Sequence, residues 1–377
     1  MVPVLGATLQ GMAALSWVYW AATAWSVRRW RKQPVREPFT PPVSVLKPLS
    51  GAEEGLTDNL EALYSQEYPD FEVVFGAEDA DDPAMAIARV VAERHPERRS
   101  SFVHSAAPAG ANRKVANLCQ IAPTARHAFL VLADSDVRWP ATALAQVCAP
   151  LADPGVGLAT CPYVGRGGHG IAALMEALGI GASFIPSAML AAALGWKDLA
   201  LGATMAIRRG LLAEIGGFEG LLGNIADDYL LGHRAATAGA RVAFSAGCVE
   251  TVLQDEPIST SLQRRLRWAA TVRSLQPAGA AGALLTHGLP LAVLGALAAP
   301  SGAAWLFVGA TAAARGLNAA YVLGLLGDTA SRGRLWLLPL DDLVAFALWA
   351  WAPAVKRVTW RGRRYRLGPG GRVVAAD

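Results

Sequence analysis

The sequence predicts an α/β fold, a mostly parallel sheet flanked by helices, with apolar membrane segments at both ends of the chain. Three observations carry this. Short apolar runs alternate with helical stretches between about residues 38 and 275, acidic residues stand just after two of those runs, and long apolar segments flank the alternating region. Strand–helix alternation calls for parallel strands with crossover helices on both faces of the sheet. Val43–Leu46, Phe71–Ala77 and Phe129–Ala133 read as short buried strands. Leu56–Ser65, Pro83–Arg94 and Ala141–Val147 read as the helices between or after them. In such sheets ligands bind beyond the carboxyl ends of the strands, where the strand order reverses. Asp79 and Asp134 fall at strand ends of this kind.

The chain is 53% hydrophobic and only 17% charged, so part of it belongs in lipid. Leu5 to Val27 is uncharged and mostly apolar, and at 1.5 Å per residue a helix of about 23 residues crosses a ~30 Å hydrocarbon core. Trp17, Tyr19, Trp20 and Trp25 crowd its second half like an interfacial belt. Arg28, Arg29, Arg31 and Lys32 follow and stay cytoplasmic, which places the N-terminus outside. A cleaved signal peptide would carry its basic residues before a shorter apolar run. Later in the chain, Ala281–Pro300 and Ala303–Leu326 are long enough to span; Arg315 within the second must face a neighbouring helix or the interface. Leu335–Val355 is interrupted by Asp341 and Asp342 and flanked by basic clusters on both sides, which favours a re-entrant or interfacial element.

The expected organisation is a transmembrane helix over 1–30, a cytoplasmic α/β domain over 38–275, membrane segments over 281–355 and a basic cytoplasmic tail over 356–377. That describes a multi-pass protein of the inner (cytoplasmic) membrane. The net charge of +4 sits in clusters beside apolar segments, with no aromatic–basic motif, so the expected partner is a membrane surface and not nucleic acid. Cys119, Cys148, Cys161 and Cys248 lack C-x-x-C spacing, which excludes a zinc or disulfide framework and suits a reducing compartment.

Four separated pieces carry the chemistry. Asp134-Ser135-Asp136 follows the apolar run Phe129–Ala133. Two carboxylates set near a nucleoside diphosphate require a cation between them, and Mg²⁺ or Mn²⁺ prefers such oxygen ligands, so Asp134 and Asp136 are the candidate metal site. The alternative is a turn or N-cap before the helix at Ala141. Asp79 is the candidate contact to a donor uridine; otherwise its cluster is a solvated acidic loop, with Asp82 capping the helix that Pro83 starts. Asp227-Asp228 precedes an amphipathic helix, with Asp228 the candidate general base and Asp227 its support, or both serve only the helix dipole. Arg264, Arg267 and Trp268 share one helical face, suited to a diphosphate and a sugar or lipid, with Arg265 and Arg273 on the opposite face for anionic lipid. Lys114, at a helix start, reaches a phosphate or is a surface charge; Lys47 ends the first strand. Ile171–Leu194 is either core or a surface for a lipid acceptor.

With these residues the chain resembles a family 2 glycosyltransferase of the GT-A fold, in the branch of ceramide glucosyltransferases and the hopanoid-biosynthesis glycosyltransferase. The likeness runs from about Val43 through the tail at Trp360–Tyr365. It rests on Asp79, on Asp134 and Asp136, on Asp228 in Ala226-Asp227-Asp228-Tyr229, and on a (Q/R)xxRW element at Arg264–Trp268. Family members usually carry Glu where this chain has Asp227. Asn112–Leu118, Gly202-Ala203-Thr204, Asp255-Glu256-Pro257 and Val272–Pro277 look closer to the hopanoid enzyme. The resemblance implies an inverting, metal-dependent enzyme that moves N-acetylglucosamine from UDP-GlcNAc onto a hopanoid such as bacteriohopanetetrol. Transfer of glucose from UDP-glucose to ceramide is the alternative. A processive polysaccharide synthase shares the four motifs but needs a translocation channel, for which the C-terminal apolar segments are few.

Overall fold

A computed structural model describes residues 2–33, 39–104, 110–360 and 363–375. Residue 38, where the sequence places the start of the α/β domain, lies outside the described residues, as do Arg361 and Gly362 of the tail. The chain divides into two compact units. One holds residues 33–166 and 195–254; the other holds 1–32, 167–194 and 255–377. The expected domain over 38–275 is therefore interrupted, because 167–194 and 255–275 pack with the terminal segments.

The first unit is the α/β body. Its strands are β1 (Val43–Pro48), β2 (Phe71–Ala77), β3 (Arg99–His104), β4 (Phe129–Ala133), β5 (Val137–Arg138), β6 (Val156–Thr160), β7 (Tyr163–Gly167), β8 (Thr204–Arg208), β9 (Arg241–Phe244) and β10 (Val249–Leu253). Seven of them form one sheet in the order β3-β2-β1-β4-β8-β6-β9. β3, β2, β1 and β4 run parallel, with Val45 level with both Val73 and Val131. β8 is antiparallel to both β4 and β6, so the sheet is mixed on that side. β1 and β2 are buried along their whole length, as strands covered on both faces must be, and read as mostly apolar runs in which Ser44, Lys47 and Glu72 are the buried polar exceptions.

Residue alternation sorts the sheet into two cores. Val43, Val45, Val73, Phe75 and Val131 face the layer of Leu60, Leu63, Met85 and Ala88. Leu46, Val74, Leu130 and Leu132 face Val115, Leu118, Ile121 and Leu231. The helix Pro83–Glu93 starts as its sequence prescribes, with Asp82 accepting from Ala84 N at 2.9 Å and Pro83 in the first turn. The chain leaves β1 for β2 and β3 on one side and returns to β4 on the other. The strand order thus reverses between β1 and β4, the place where a ligand crevice opens.

The second unit is helical. Among the described residues three of its helices are long and apolar enough to cross a membrane: Ile171–Ala193, Gly302–Leu326 and Leu335–Ala354. The N-terminal helix, Val2–Arg31, has the length but not the apolarity of these three. Its aromatic residues do not all form a belt. Trp20 is buried, Tyr19 Oη lies 2.5 Å from Ser187 Oγ, and Trp17 Nε1 donates to Thr311 at 3.3 Å. Ala281–Pro300 is bent and not straight: Pro277–Thr286 and Gly288–Ala298 meet at 66°, the form of a broken span or a re-entrant loop. Pro290 explains the break, since its ring has no N–H to donate and would strike the carbonyl of Thr286 in a continuous helix. The tail folds into a three-stranded antiparallel sheet, β11 (Arg357–Trp360), β12 (Arg363–Leu367) and β13 (Val373–Ala375).

Arg315 is 4% exposed and meets the requirement that a charge inside an apolar helix find a partner. Its guanidinium donates to Asp342 at 3.0 Å, to Ala182 O at 3.0 Å and to Ser183 Oγ at 2.7 Å. Residues 180–184 form a π-turn inside the 171–193 helix, and the Ala182 carbonyl is satisfied by this arginine. Replacing Arg315 with Met leaves Asp342 buried and unpaired, and should cost about 3–5 kcal/mol, read as a lowered melting temperature in detergent. The double variant R315M/D342L should recover most of that loss.

Candidate functional site

At the reversal point the end of β1 meets the end of β4. Lys47, the penultimate residue of β1, is 1% exposed and its Nζ donates to the backbone carbonyl of Asp134. Burial pulls its pKa down to about 8, against the pull of Asp136, Asp134 and Glu53 nearby. Asp134-Ser135-Asp136 forms the turn from β4 into β5 and caps no helix: the next helix, Ala143–Cys148, has Thr142 at its N-cap. The turn is fixed from several sides. Asn59 Nδ2 donates to Ser135 O at 3.2 Å, Ser135 Oγ donates to Glu53 Oε2 at 2.8 Å, and Val252 N donates to Asp136 O at 2.7 Å.

Lys114 ties this turn to the second acidic pair. It lies in the first turn of the helix Arg113–Ile121, and its Nζ is 2.6 Å from Asp134 Oδ1 and 3.3 Å from Asp227 Oδ2. These carboxylates raise the lysine pKa even though burial, the largest single influence, opposes them, so it stays charged. Asn112 does two jobs. Its Oδ1 caps the helix by accepting from Val115 N at 3.1 Å, and its Nδ2 donates to Asn224 O at 2.9 Å and Asp227 Oδ1 at 3.1 Å. Both oxygens of Asp227 are therefore occupied.

Asp227 and Asp228 open the helix Asp227–Thr237 without capping it, since the N-cap is Ala226 and no side chain accepts there. Asp228 Oδ1 accepts from Tyr229 N at 2.8 Å. Burial, then the neighbouring Asp227, push its carboxyl well above the usual carboxylate range, while Lys114 and the Tyr229 N–H hold it down. Gly202 packs directly over it: a Cβ there would lie 3.0 Å from Asp228 Oδ2. Gly202→Ala should displace the carboxylate and lower turnover at least tenfold with little change in donor affinity, as separate kcat and KM measurements would show.

Asp136 is the candidate cation ligand. Burial raises its pKa, and Asp134 and Glu53 raise it further, so its negative charge lacks sufficient compensation from Lys47 and Lys114. Among the described residues no three His, Cys, Asp or Glu side chains gather tightly enough to hold a metal ion alone. An ion at Asp134 and Asp136 would complete its shell with phosphate oxygens and water, as Mg²⁺ commonly does, so the donor set fits the expected cofactor.

Asp79 belongs to the α/β body but is not tied into this cluster. Asp79 is exposed two residues beyond β2 and its carboxylate accepts from Asp81 N at 3.0 Å; no hydrogen bond or ion pair joins it to Lys114. Arg264, Arg267 and Trp268 belong to the helical unit, on the helix Ile258–Leu275. There Arg264 pairs with Glu256, at 2.9 Å from Nη1, and with the buried Glu176, and its guanidinium lies 5.8 Å from the Trp268 ring centre. Arg267 lies 5.9 Å over Trp360. Arg265, expected on a lipid-facing side, is instead paired with Asp341 at 2.7 Å and only 12% exposed. Residues that sequence reasoning gave no role, Glu53, Asn112, Glu176 and Gly202, all hold another functional candidate in place. Only Asn112 offered a signal, as a favoured N-cap type just before a helix.

Comparison with known proteins follows from this geometry. Ceramide glucosyltransferase 1 of Caenorhabditis elegans is 24% identical over 236 residues, covering 62% of this chain and 50% of that protein. Ceramide glucosyltransferase 3 of the same organism is 22% identical over 230 residues, 60% of this chain and 50% of the relative. The chain thus spans about half the length of the curated relatives it matches. A mannosyltransferase from Pyrobaculum calidifontis, solved with GDP-Man and Mn²⁺, is 22% identical with a TM-score of 0.55, covering 94% of this chain and 99% of that one; it shares the fold. The profile of glycosyl transferase family 21 matches residues 8–373, which replaces the expected family 2 while agreeing with the ceramide glucosyltransferase branch. The chain belongs to glycosyl transferase family 21.

Proposed function

We propose that this protein is an inverting glycosyltransferase that moves a sugar from a nucleoside diphosphate onto a hydroxyl of a membrane lipid. One observation carries the reading: Lys114 bonds both Asp134 and Asp227, which sets a diphosphate-side carboxylate turn beside a helix start bearing the half-buried carboxylate of Asp228. Asp228 takes the proton of the acceptor hydroxyl. The hydroxyl oxygen attacks the anomeric carbon from the face opposite the diphosphate, and the bond to the diphosphate oxygen breaks with its electron pair leaving on the nucleotide. Asp227, bonded by Asn112 and Lys114, positions the helix start. Asp134 and Asp136 would hold a divalent ion, which would supply neutralisation of the charge on the departing diphosphate. Asp79 is assigned to the uridine, and Arg264, Arg267 and Trp268 to the donor and acceptor. In membrane terms, the N-terminus lies outside and the α/β body on the cytoplasmic side of the inner membrane.

The motif segments Asn112–Leu118 and Val272–Pro277 support N-acetylglucosamine and a polyhydroxylated hopanoid as the substrates. The ceramide glucosyltransferase relatives favour a second reading, glucose onto ceramide. Purified protein with Mg²⁺ or Mn²⁺, offered labelled UDP-GlcNAc and UDP-glucose against bacteriohopanetetrol and ceramide, separates them. Label on the hopanoid from UDP-GlcNAc supports the first, and label on ceramide from UDP-glucose the second. Absence of both transfer and donor hydrolysis with every pair would refute the enzyme reading. Asp136→Ala should weaken UDP binding in the presence of Mg²⁺ or Mn²⁺ by about tenfold or more and leave metal-free binding unchanged, measured by calorimetry.

A further inference from the structure

The tail from Lys356 to Arg372 carries seven basic side chains and no acid. Strand alternation sorts the described ones. Val358, Tyr365 and Val373 are buried on one face of the small sheet, while Arg357, Thr359, Arg364, Arg366 and Val374 are exposed on the other. Arg357 is directly opposite Arg366, and Arg364 directly opposite Thr359. Arg366 in turn faces Val374 across the next pair of strands. Like charges set opposite one another on an exposed face destabilise a sheet. Among the described residues none of Arg357, Arg364 and Arg366 enters an ion pair that would offset this. Such a face is suited to an external anion, which would offset the repulsion.

The position of the sheet says which anion. The apolar helix Leu335–Ala354 ends three residues before Arg357, and three residues reach at most ~10 Å. That is about one Debye length at 0.1 M salt, so the arginines feel whatever charge lies at the end of the helix. Trp336 and Trp351, near the two ends of the same helix, are 72% and 65% exposed, as residues anchored at a bilayer interface are. We propose that the outer face of the β11–β13 sheet is a binding site for the phosphates of anionic phospholipids at the bilayer surface. Arg357, Arg364 and Arg366 hold the phosphates by paired N–H donors, and Val374 contacts the glycerol or upper acyl region beside them. An arginine near an anionic surface is worth about a fivefold change in affinity, so the three together amount to about a hundredfold.

The test uses the whole chain in detergent, titrated with a short-chain phosphatidylglycerol or with phosphatidylcholine of the same chain length. Preference for phosphatidylglycerol, lost about a hundredfold in R357Q/R364Q/R366Q and weakened by salt, is the expected result. A control variant, R28Q/R29Q/R31Q, should keep that preference. The sheet variant should also melt no lower than wild type in phosphatidylcholine, since a repulsive pair has been removed. If it melts lower, Arg366→Gln alone must still weaken phosphatidylglycerol binding about fivefold. Equal binding of the two lipids by wild type, or undiminished phosphatidylglycerol binding by the variants, would overturn the assignment. Saturation by inorganic phosphate at the same affinity would overturn it as well, because the site would then serve a soluble anion.

Discussion

Asp228→Asn is expected to lower sugar transfer by about 10²–10⁴-fold while leaving UDP binding intact. The amide fills the same space against Gly202 and can still accept from Tyr229 N, so geometry is preserved and only the basic electron pair is lost. More than a tenth of wild-type turnover in this variant would sink the base assignment. The sign of the stability effect gives an independent check. The folded-state pKa of Asp228 is raised, chiefly by burial, so its ionised form costs stability at pH values above that pKa and the neutral form does not. Asn imitates the neutral form, and the variant should melt at the wild-type temperature or higher at neutral pH. For the same reason activity needs the ionised carboxylate and should fall on the acid side at a pH well above the ~3.9 of a free aspartate.

Lys114→Met is the second large effect. Lys114 is 18% exposed and faces Asp134, 32% exposed, and Asp227, 12% exposed, so its loss leaves two carboxylates partly desolvated without a counter-charge. Breaking a buried pair costs several kcal/mol, and the partial exposure of Asp134 reduces this to about 2–3 kcal/mol of folding stability. Lys114 also lowers the pKa of Asp228, so its removal should move the acid limb of kcat/KM to higher pH. A variant that lost activity with an unmoved acid limb would show that Lys114 acts on folding alone.

Local features were legible where one physical rule dominated. β2 and β4 run over the residues their apolar runs mark, and Asp82 with Pro83 starts a helix, because burial on both faces and N-cap chemistry are decided within a few residues. Arg315 needed a partner by electrostatics alone, although nothing in the sequence named Asp342 rather than the adjacent Asp341. The candidate site was legible as residue types and not as a cluster. Asp134, Lys114 and Asp227 meet through strand order, which pairs β1 with both β2 and β4 and is invisible to local pattern. The sequence shows Arg264 as a cation suited to a diphosphate but not its partner: Glu176 lies in an apolar stretch 88 residues earlier, where a single acid carries no periodic signal. The tail was read by charge alone, and the apolar alternation of Val358, Tyr365 and Val373 within it was overlooked.

The neighbouring acids Asp341 and Asp342 are paired with arginines on two different helices, Arg265 of Ile258–Leu275 and Arg315 of Gly302–Leu326. Successive side chains on a helix point about 100° apart, so the two pairs fix the rotation of Leu338–Trp351 about its own axis. They also constrain biogenesis. An unpaired aspartate costs about 2.5–3.5 kcal/mol at the centre of an inserting helix and less toward its end, and Asp341 stands in the first turn of Leu338–Trp351 with Asp342 beside it. The last apolar helix is therefore poorly suited to leave the insertion machinery alone. The two ion pairs instead join it to Ile258–Leu275 and Gly302–Leu326 as one neutralised assembly.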